Sequence, residues 1–259
     1  DIFKYVEEAK RGGYSHVMGR RAQANNPYMK EKYDPSIATS YLMQLDVNGL
    51  YTYVQSSYMP ASAPKPFSPK ELETIRSKAL MDTFGEMPTP LNTEDYLDLP
   101  ESINGGWLTV DIHYPPKLHD YFDLPLLGEK MIAKEEMLSA YNRVVHEKNK
   151  TKYVPTQKLF ATLEPKIEYT ESIHLLAYLE SKGAVITRIY GGYKLPMKRI
   201  LNPFMDKCAN LRKVYVAAGN NFASDLIKLY CNSTFGKWCQ AVRGMHDLKV
   251  ASTDEEFTR

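Results

Sequence analysis

From Asn202 to Gln240 the sequence leaves room for little except two helices joined by a tight turn. Asn202-Pro203 offers an N-cap and a proline at the first helical position, where a missing N–H does no harm. A helical pattern then runs to Ala218, and Gly219-Asn220-Asn221 stops and restarts it. A second helix is predicted over about Phe222 to Gln240, so the pair should fold back as an antiparallel hairpin. On that second helix Lys228, Asn232, Phe235 and Gly236 fall at i, i+4, i+7 and i+8 and share one face, which presents a cation, an amide, a ring and a gap. Arg212 and Lys213 lie six or seven residues before Gly219 and Lys228 lies nine after it. With a rise of ~1.5 Å per residue the three stand at nearly one height, so the hairpin can converge its cations on one anion, for which a triphosphate is a natural ligand. An exposed helix with ordinary surface lysines fits the same spacing.

Strand candidates are Tyr41–Val47 and Trp107–Tyr114, each with an aspartate late in the run, and Ala184–Tyr190. The last follows a helix-like stretch, Glu171–Lys182, closed by Gly183. Four prolines within the 11 residues Met59–Pro69 read as a linker or excursion, and Gly85–Gly106 reads as a second loop after a helix near Ser68–Asp82. The mixture predicts an α/β (α+β) chain. With 43% hydrophobic and 25% charged residues over 259 positions, disorder as the whole story is excluded. The net charge of +2 is silent on polyanionic partners, but its distribution is not. Lys182–His246 holds 11 Lys/Arg against 2 Asp/Glu, and Lys70–Glu136 holds 6 against 14, so the C-terminal third offers a basic surface suited to phosphates.

Cys208, Cys231 and Cys239 are odd in number and lack C-x-x-C spacing, which indicates neither a disulfide framework nor a zinc site. No apolar run approaches the ~18 residues of a membrane span, so the expectation is a soluble, intracellular protein without a membrane partner, the nucleus and the cytoplasm both remaining open. Asp1 and Arg259 both fall in stretches without terminal character, which predicts a piece of a longer protein. Asp46 ends an apolar run and precedes Asn48-Gly49-Leu50-Tyr51, an arrangement that would hold a carboxylate and a ring near a sheet edge, where magnesium and phosphates could be met. A strand-end aspartate also serves as a turn former, and Asp111 has the same setting. His113 and His119 read as a strand and a loop residue. Gly12-Gly13 after Arg11 could let a phosphate approach the backbone, or could simply turn the chain.

Two of these blocks together resemble family B DNA polymerases. L-D-V-N-G-L-Y at Leu45–Tyr51 is similar to their first motif, D-x-x-S-L-Y-P, and K-L-Y-C-N-S-T-F-G at Lys228–Gly236 is similar to their second, K-x-x-x-N-S-x-Y-G. Arg11–Val17, Arg20–Met29, Val110–Asp120, Pro125–Glu129 and Phe204–Arg212 resemble, in the same order, blocks of the protein-primed branch found in Polinton/Maverick elements and related viruses. Gly49, Thr52 and Phe235 depart from the motif consensus, the last keeping the ring and losing a hydroxyl.

The resemblance implies a palm portion with the template-contact loop and first motif over 1–60, an insertion and palm-associated region over 61–200, a fingers hairpin over 201–245 and a return toward the palm over 246–259. It implies Asp46 and the carbonyl of Val47 as metal contacts for two Mg2+ ions, with Asp46 and Lys228 catalytic. Tyr51 would pack under the sugar of an incoming dNTP and exclude a 2′-hydroxyl. Leu50, Arg212, Lys213, Lys228, Asn232 and Phe235 would complete the nucleotide site, and Arg11, Gly12, Gly13, Gly236 and Lys237 would contact DNA. Template, primer and a terminal priming protein are the implied partners. No motif of the Y-x-D-T-D-S type follows Gly236, which implies a DNA-directed DNA polymerase fragment that does not polymerise alone. The alternatives are a polymerase remnant that binds nucleic acid or a partner, and a nuclease using Asp46 with Asp111.

Overall fold

A computed structural model describes residues 1–13, 15, 21–88, 99–122, 124–240, 242, 244–245, 250 and 253–254. Tyr14, His16, Val17 and Arg20 of the blocks that resemble the protein-primed branch, and most of 246–259, lie outside them. The chain is mixed α and β and divides into two compact units: Asp1–Asp46 with Pro60–Lys198, and Val47–Met59 with Arg199–Arg259. These cut across the ranges drawn from the resemblance, since residues 47–59 belong with the C-terminal hairpin and residues 1–46 with the long central segment.

The first unit is built on a long antiparallel pair, β3 (Ser102–His113) and β7 (Val185–Lys198), with β6 (Lys166–Ser172) on the other side of β3. Alternation along β3 sends Leu108, Val110 and Ile112 to one face, where they are fully buried. Each contributes about 1.5–3 kcal/mol relative to exposure. Against them pack Ile173, Leu176, Ala177 and Leu179 of α7 (Ile173–Ser181). The helix ends as Gly183 predicts: at φ +105° its N–H reaches the Glu180 carbonyl and the Ala184 N–H reaches that of Leu179, a Schellman closure. On the opposite side, Tyr5 of α1 (Ile2–Ala9) meets Tyr193 edge-on at 4.7 Å and accepts a bond from the Thr109 hydroxyl.

Several expectations are corrected. Residues 41–47 form no strand; Tyr41, Leu42, Met43, Leu45 and Val47 are exposed and irregular. No partner strand meets them among the described residues, and alternation without a neighbour supplies no ladder of hydrogen bonds. The proline segment is no free linker: it carries two-residue strands β1 (Met59–Pro60) and β2 (Lys65–Pro66), and Lys65 and Pro66 pair with Lys194 and Tyr193 of β7. Proline is tolerated on such an outer strand. Gly105-Gly106, expected in a loop, lie inside β3. The predicted helix Ser68–Asp82 is two helices, α3 (Pro69–Arg76) and α4 (Leu80–Phe84), broken at an extended Ala79. Two smaller strands, β4 (Gly128–Ile132) and β5 (Gln157–Ala161), pair antiparallel, and α5 (Pro116–His119) and α6 (Ala140–Lys148) complete the unit. His119 sits in α5 rather than in a loop.

At the start of α3, Ser68 and Glu71 form a reciprocal capping box, and Glu71 also pairs with Lys194. Lys194, then the Ser68 backbone and hydroxyl, hold the Glu71 carboxyl down at about 2. A lowered folded-state pKa gives stability that is present above the unfolded value and lost as pH falls toward about 2. Acid titration of wild type followed by circular dichroism should therefore show a loss of stability in that window which Glu71→Gln lacks; superimposable acid limbs would remove this role.

Candidate nucleotide-binding site

The second unit is the hairpin of α8 (Asn202–Ala217) and α9 (Asn221–Trp238) together with α2 (Leu50–Ser56). Asn202 is not the N-cap: Leu201 holds that place and Asn202 is already helical, its amide nitrogen donating to Asp206. Pro203 still occupies the first turn, as expected. At the turn, Gly219 at φ +68° donates to Val216 and Asn220 donates to the Tyr215 carbonyl. The Asn220 side chain then accepts from Ala223 N–H and caps α9. Met205 and Cys208 of α8 and Cys231 of α9 form the buried seam, with Leu201 and Ile227 beside them. Cys208 lies 11 residues before Gly219 and Cys231 12 after it, so the antiparallel register expected from the spacing is realised. Burial, then the neighbouring Cys231, pushes the Cys208 thiol up to about 11.

Ser224 and Cys231 mark the inward side of α9. Lys228 follows Ser224 by four residues and Phe235 follows Cys231 by four, so both flank that seam on the face that also carries Asn232 and Gly236. Lys228, Phe235, Gly236 and Lys237 are exposed, and Asn232 is half-buried. A Cβ at Gly236 would meet nothing within 4 Å. Helix α2 brings the first-motif residues onto this hairpin. Tyr51 and Phe235 lie with ring centroids 4.5 Å apart. One turn along, the Gln55 amide donates to the Tyr51 carbonyl at 3.0 Å and the Cys231 carbonyl at 3.3 Å. Leu50 and Tyr51 remain about half exposed. Two rings separated by 184 sequence positions thus form one open aromatic platform on the helix that presents Lys228.

Arg212 is half-buried on α8, and Lys213 beside it is exposed. Arg212 Nε and Gln55 Oε1 are buried without a hydrogen-bond partner, one a donor and the other an acceptor, on helices α8 and α2 that pack together. Buried polar groups normally find partners, so the polar contacts of each of these two atoms are incomplete.

The other expected residues belong elsewhere. Asp46 is exposed at the end of the first unit and Val47 opens the second. No sheet edge lies beside Asp46 among the described residues; the chain turns through Asn48 and Gly49, at φ +65°, into α2. Among the described residues, no group of three His, Cys, Asp or Glu is placed to hold a metal.

Arg11, expected at DNA, is engaged within the first unit: its Nη1 donates to the Ala9 and Thr170 carbonyls, both at 2.8 Å, it lies 3.7 Å from Glu171, and it stacks 3.6 Å from the Tyr169 ring centroid. Gly12 and Gly13 beside it are open. Glu171 is buried enough that desolvation raises its carboxyl, against the pull of the Ser172 N–H and of Arg11. Asp111 accepts from Glu168 N–H at 2.8 Å and from the Tyr190 hydroxyl at 3.1 Å.

Sequence reasoning missed the clamp made by Asn25 and Asn26. Asn25 pairs with Ser40 and bonds Asp34 and Ile37, while the buried Asn26 donates to the Ser40 carbonyl. The adjacent Asn-Asn-Pro, a turn-forming run, was the available signal. Compared with family models, curated proteins and solved structures, the chain matches none. Among the described residues no helix is long and apolar enough to cross a membrane.

Proposed function

We propose that the chain is part of a DNA-directed DNA polymerase of the protein-primed family B type, and that its second unit binds the incoming dNTP. The observation that supports this reading best is the Tyr51–Phe235 platform: the two motif aromatics meet at 4.5 Å on the helix that carries Lys228. Lys228 and Arg212 would hold the triphosphate through charge-assisted contacts, and the platform would take the apolar faces of the sugar and base. Asp46 and the Val47 carbonyl would supply protein oxygens to magnesium ions accompanying the phosphates. When bound, those ions would activate the primer hydroxyl and stabilise the leaving oxygens of an in-line displacement. Further carboxylates are needed for that chemistry, so the 259 residues should bind dNTP without extending a primer.

The test is a titration of the whole chain with a fluorescent dNTP and magnesium, beside a primer-extension assay. Saturable, salt-sensitive dNTP binding without extension is the expected result. Extension by this chain would overturn the assignment as an incomplete catalyst, and absence of dNTP binding would overturn the nucleotide site and favour a remnant that binds nucleic acid or a partner.

A further inference from the structure

In the first unit a cleft of about 420 Å³ opens between the end of α3, the start of α4, α7 and the first part of β7. Its wall is the part of β7 from Val185 to Gly191, whose side away from β3 meets no strand among the described residues. From Val185 to Gly191, β7 pairs with β3; on the other side β2 reaches it only at Tyr193 and Lys194, and Phe67 N–H at the Gly192 carbonyl. One outward carbonyl, that of Ile189, accepts from Arg76 Nη2 at 2.6 Å. Along the same cleft stand Arg76, Lys78 and Arg188. None of the three forms an ion pair among the described residues. Among the described residues lining the cleft Glu180 is the one carboxylate, and it accepts from the Leu80 N–H at 2.6 Å. Arg188 lies 4.5 Å over the Tyr190 ring, and Asp111 stands across from it in register without forming an ion pair with it, its oxygens accepting from the Glu168 N–H and the Tyr190 hydroxyl.

A strand edge without a strand neighbour among the described residues offers backbone donors and acceptors to another strand, and three cations against the single carboxylate of Glu180 along the cleft leave it net positive and offer attraction to acidic side chains. We propose that this edge of β7 docks an extended acidic peptide segment of a partner protein, which adds as a further strand with its carboxylates toward Arg76, Lys78 and Arg188. A nucleic acid would satisfy the cations and leave the strand edge unused, so the combination favours a peptide. This surface lies wholly in the first unit and does not depend on the nucleotide reading.

The experiment uses the full chain and a fluorescein-labelled short peptide alternating glutamate and valine, followed by anisotropy at moderate salt. Expected are saturable binding, a loss of at least about tenfold in the exposed double variant Lys78→Glu/Arg188→Glu with an unchanged circular dichroism spectrum, and a similar loss for the same peptide N-methylated at alternate amides. The methylated peptide keeps the charge and removes the strand bonds. Equal binding of that peptide, displacement by a single-stranded oligonucleotide at lower concentration, or no binding at all would overturn the proposal. In the last case the cations serve only to keep the edge from pairing with other sheets.

Discussion

Gly106→Ala is expected to destabilise the first unit by at least about 3 kcal/mol, and Gly192→Ala by a similar amount. A Cβ at Gly106 would overlap the backbone carbonyl of Tyr193 and press on Lys194 Cα, in a residue already at φ +143°. At Gly192 it would overlap the Trp107 carbonyl. Both collisions are with backbone in the central β3–β7 pair, where relief requires separating strands that carry the core. Their chain neighbours are internal controls. A Cβ at Gly105 would meet the thioether of Met197, the movable end of a flexible side chain, and one at Gly191 would meet nothing within 4 Å. Alanine at those two positions should stay within about 1 kcal/mol of wild type. Thermal unfolding should therefore show a drop of about 6–12 °C for Gly106→Ala and Gly192→Ala, and little change for the other two. Equal melting of all four variants would mean that the strands do not approach as closely as described.

The same glycines show where the sequence is hard to read. A Gly-Gly pair after several prolines carries the local signature of a loop, and nothing nearby in sequence reports that Tyr193 and Lys194 will lie against it. The hairpin was legible because its signals are local: Pro203 in the first turn, Gly219 at positive φ and Asn220 as a cap act within a few residues of where they stand. Gly183 closed α7 for the same reason. Tyr41–Val47 failed in the opposite way, because an alternating apolar run is a strand only when another strand completes its hydrogen bonds. Arg11 beside a glycine pair suggested an exposed anion contact, yet its guanidinium is taken by the Thr170 carbonyl and Glu171, 159 and 160 positions away. Within the candidate site, spacing was enough to group Lys228 with Phe235, and the resemblance was needed to add Tyr51. Their 4.5 Å contact depends on α2 leaving its sequence neighbours to join the hairpin, which no local pattern encodes.

Lys228→Ala is expected to weaken dNTP binding by at least about tenfold, equivalent to about 1.4 kcal/mol, with the fold unchanged. Lys228 is exposed, so its removal takes away the proposed phosphate contact and no packing. Arg212→Ala should weaken binding comparably but also alter stability, because Arg212 is half-buried with a partnerless Nε; removing that orphan donor offsets part of the lost packing. If both cations hold one triphosphate, the losses in the double variant will not add, since the second removal acts on a ligand already loosened. Additive losses would place the two on different parts of the ligand. Gly236→Ala separates binding from folding in the other direction. With nothing within 4 Å of the new Cβ, alanine in the helix interior should stabilise α9 by up to about 1 kcal/mol. The methyl would stand on the face shared with Lys228 and Asn232, where a DNA strand is expected to approach closely. A variant that melts higher yet binds primer–template less tightly than wild type, with dNTP affinity held, fits that role. Tighter or equal DNA binding would assign Gly236 to nothing beyond its place in the helix.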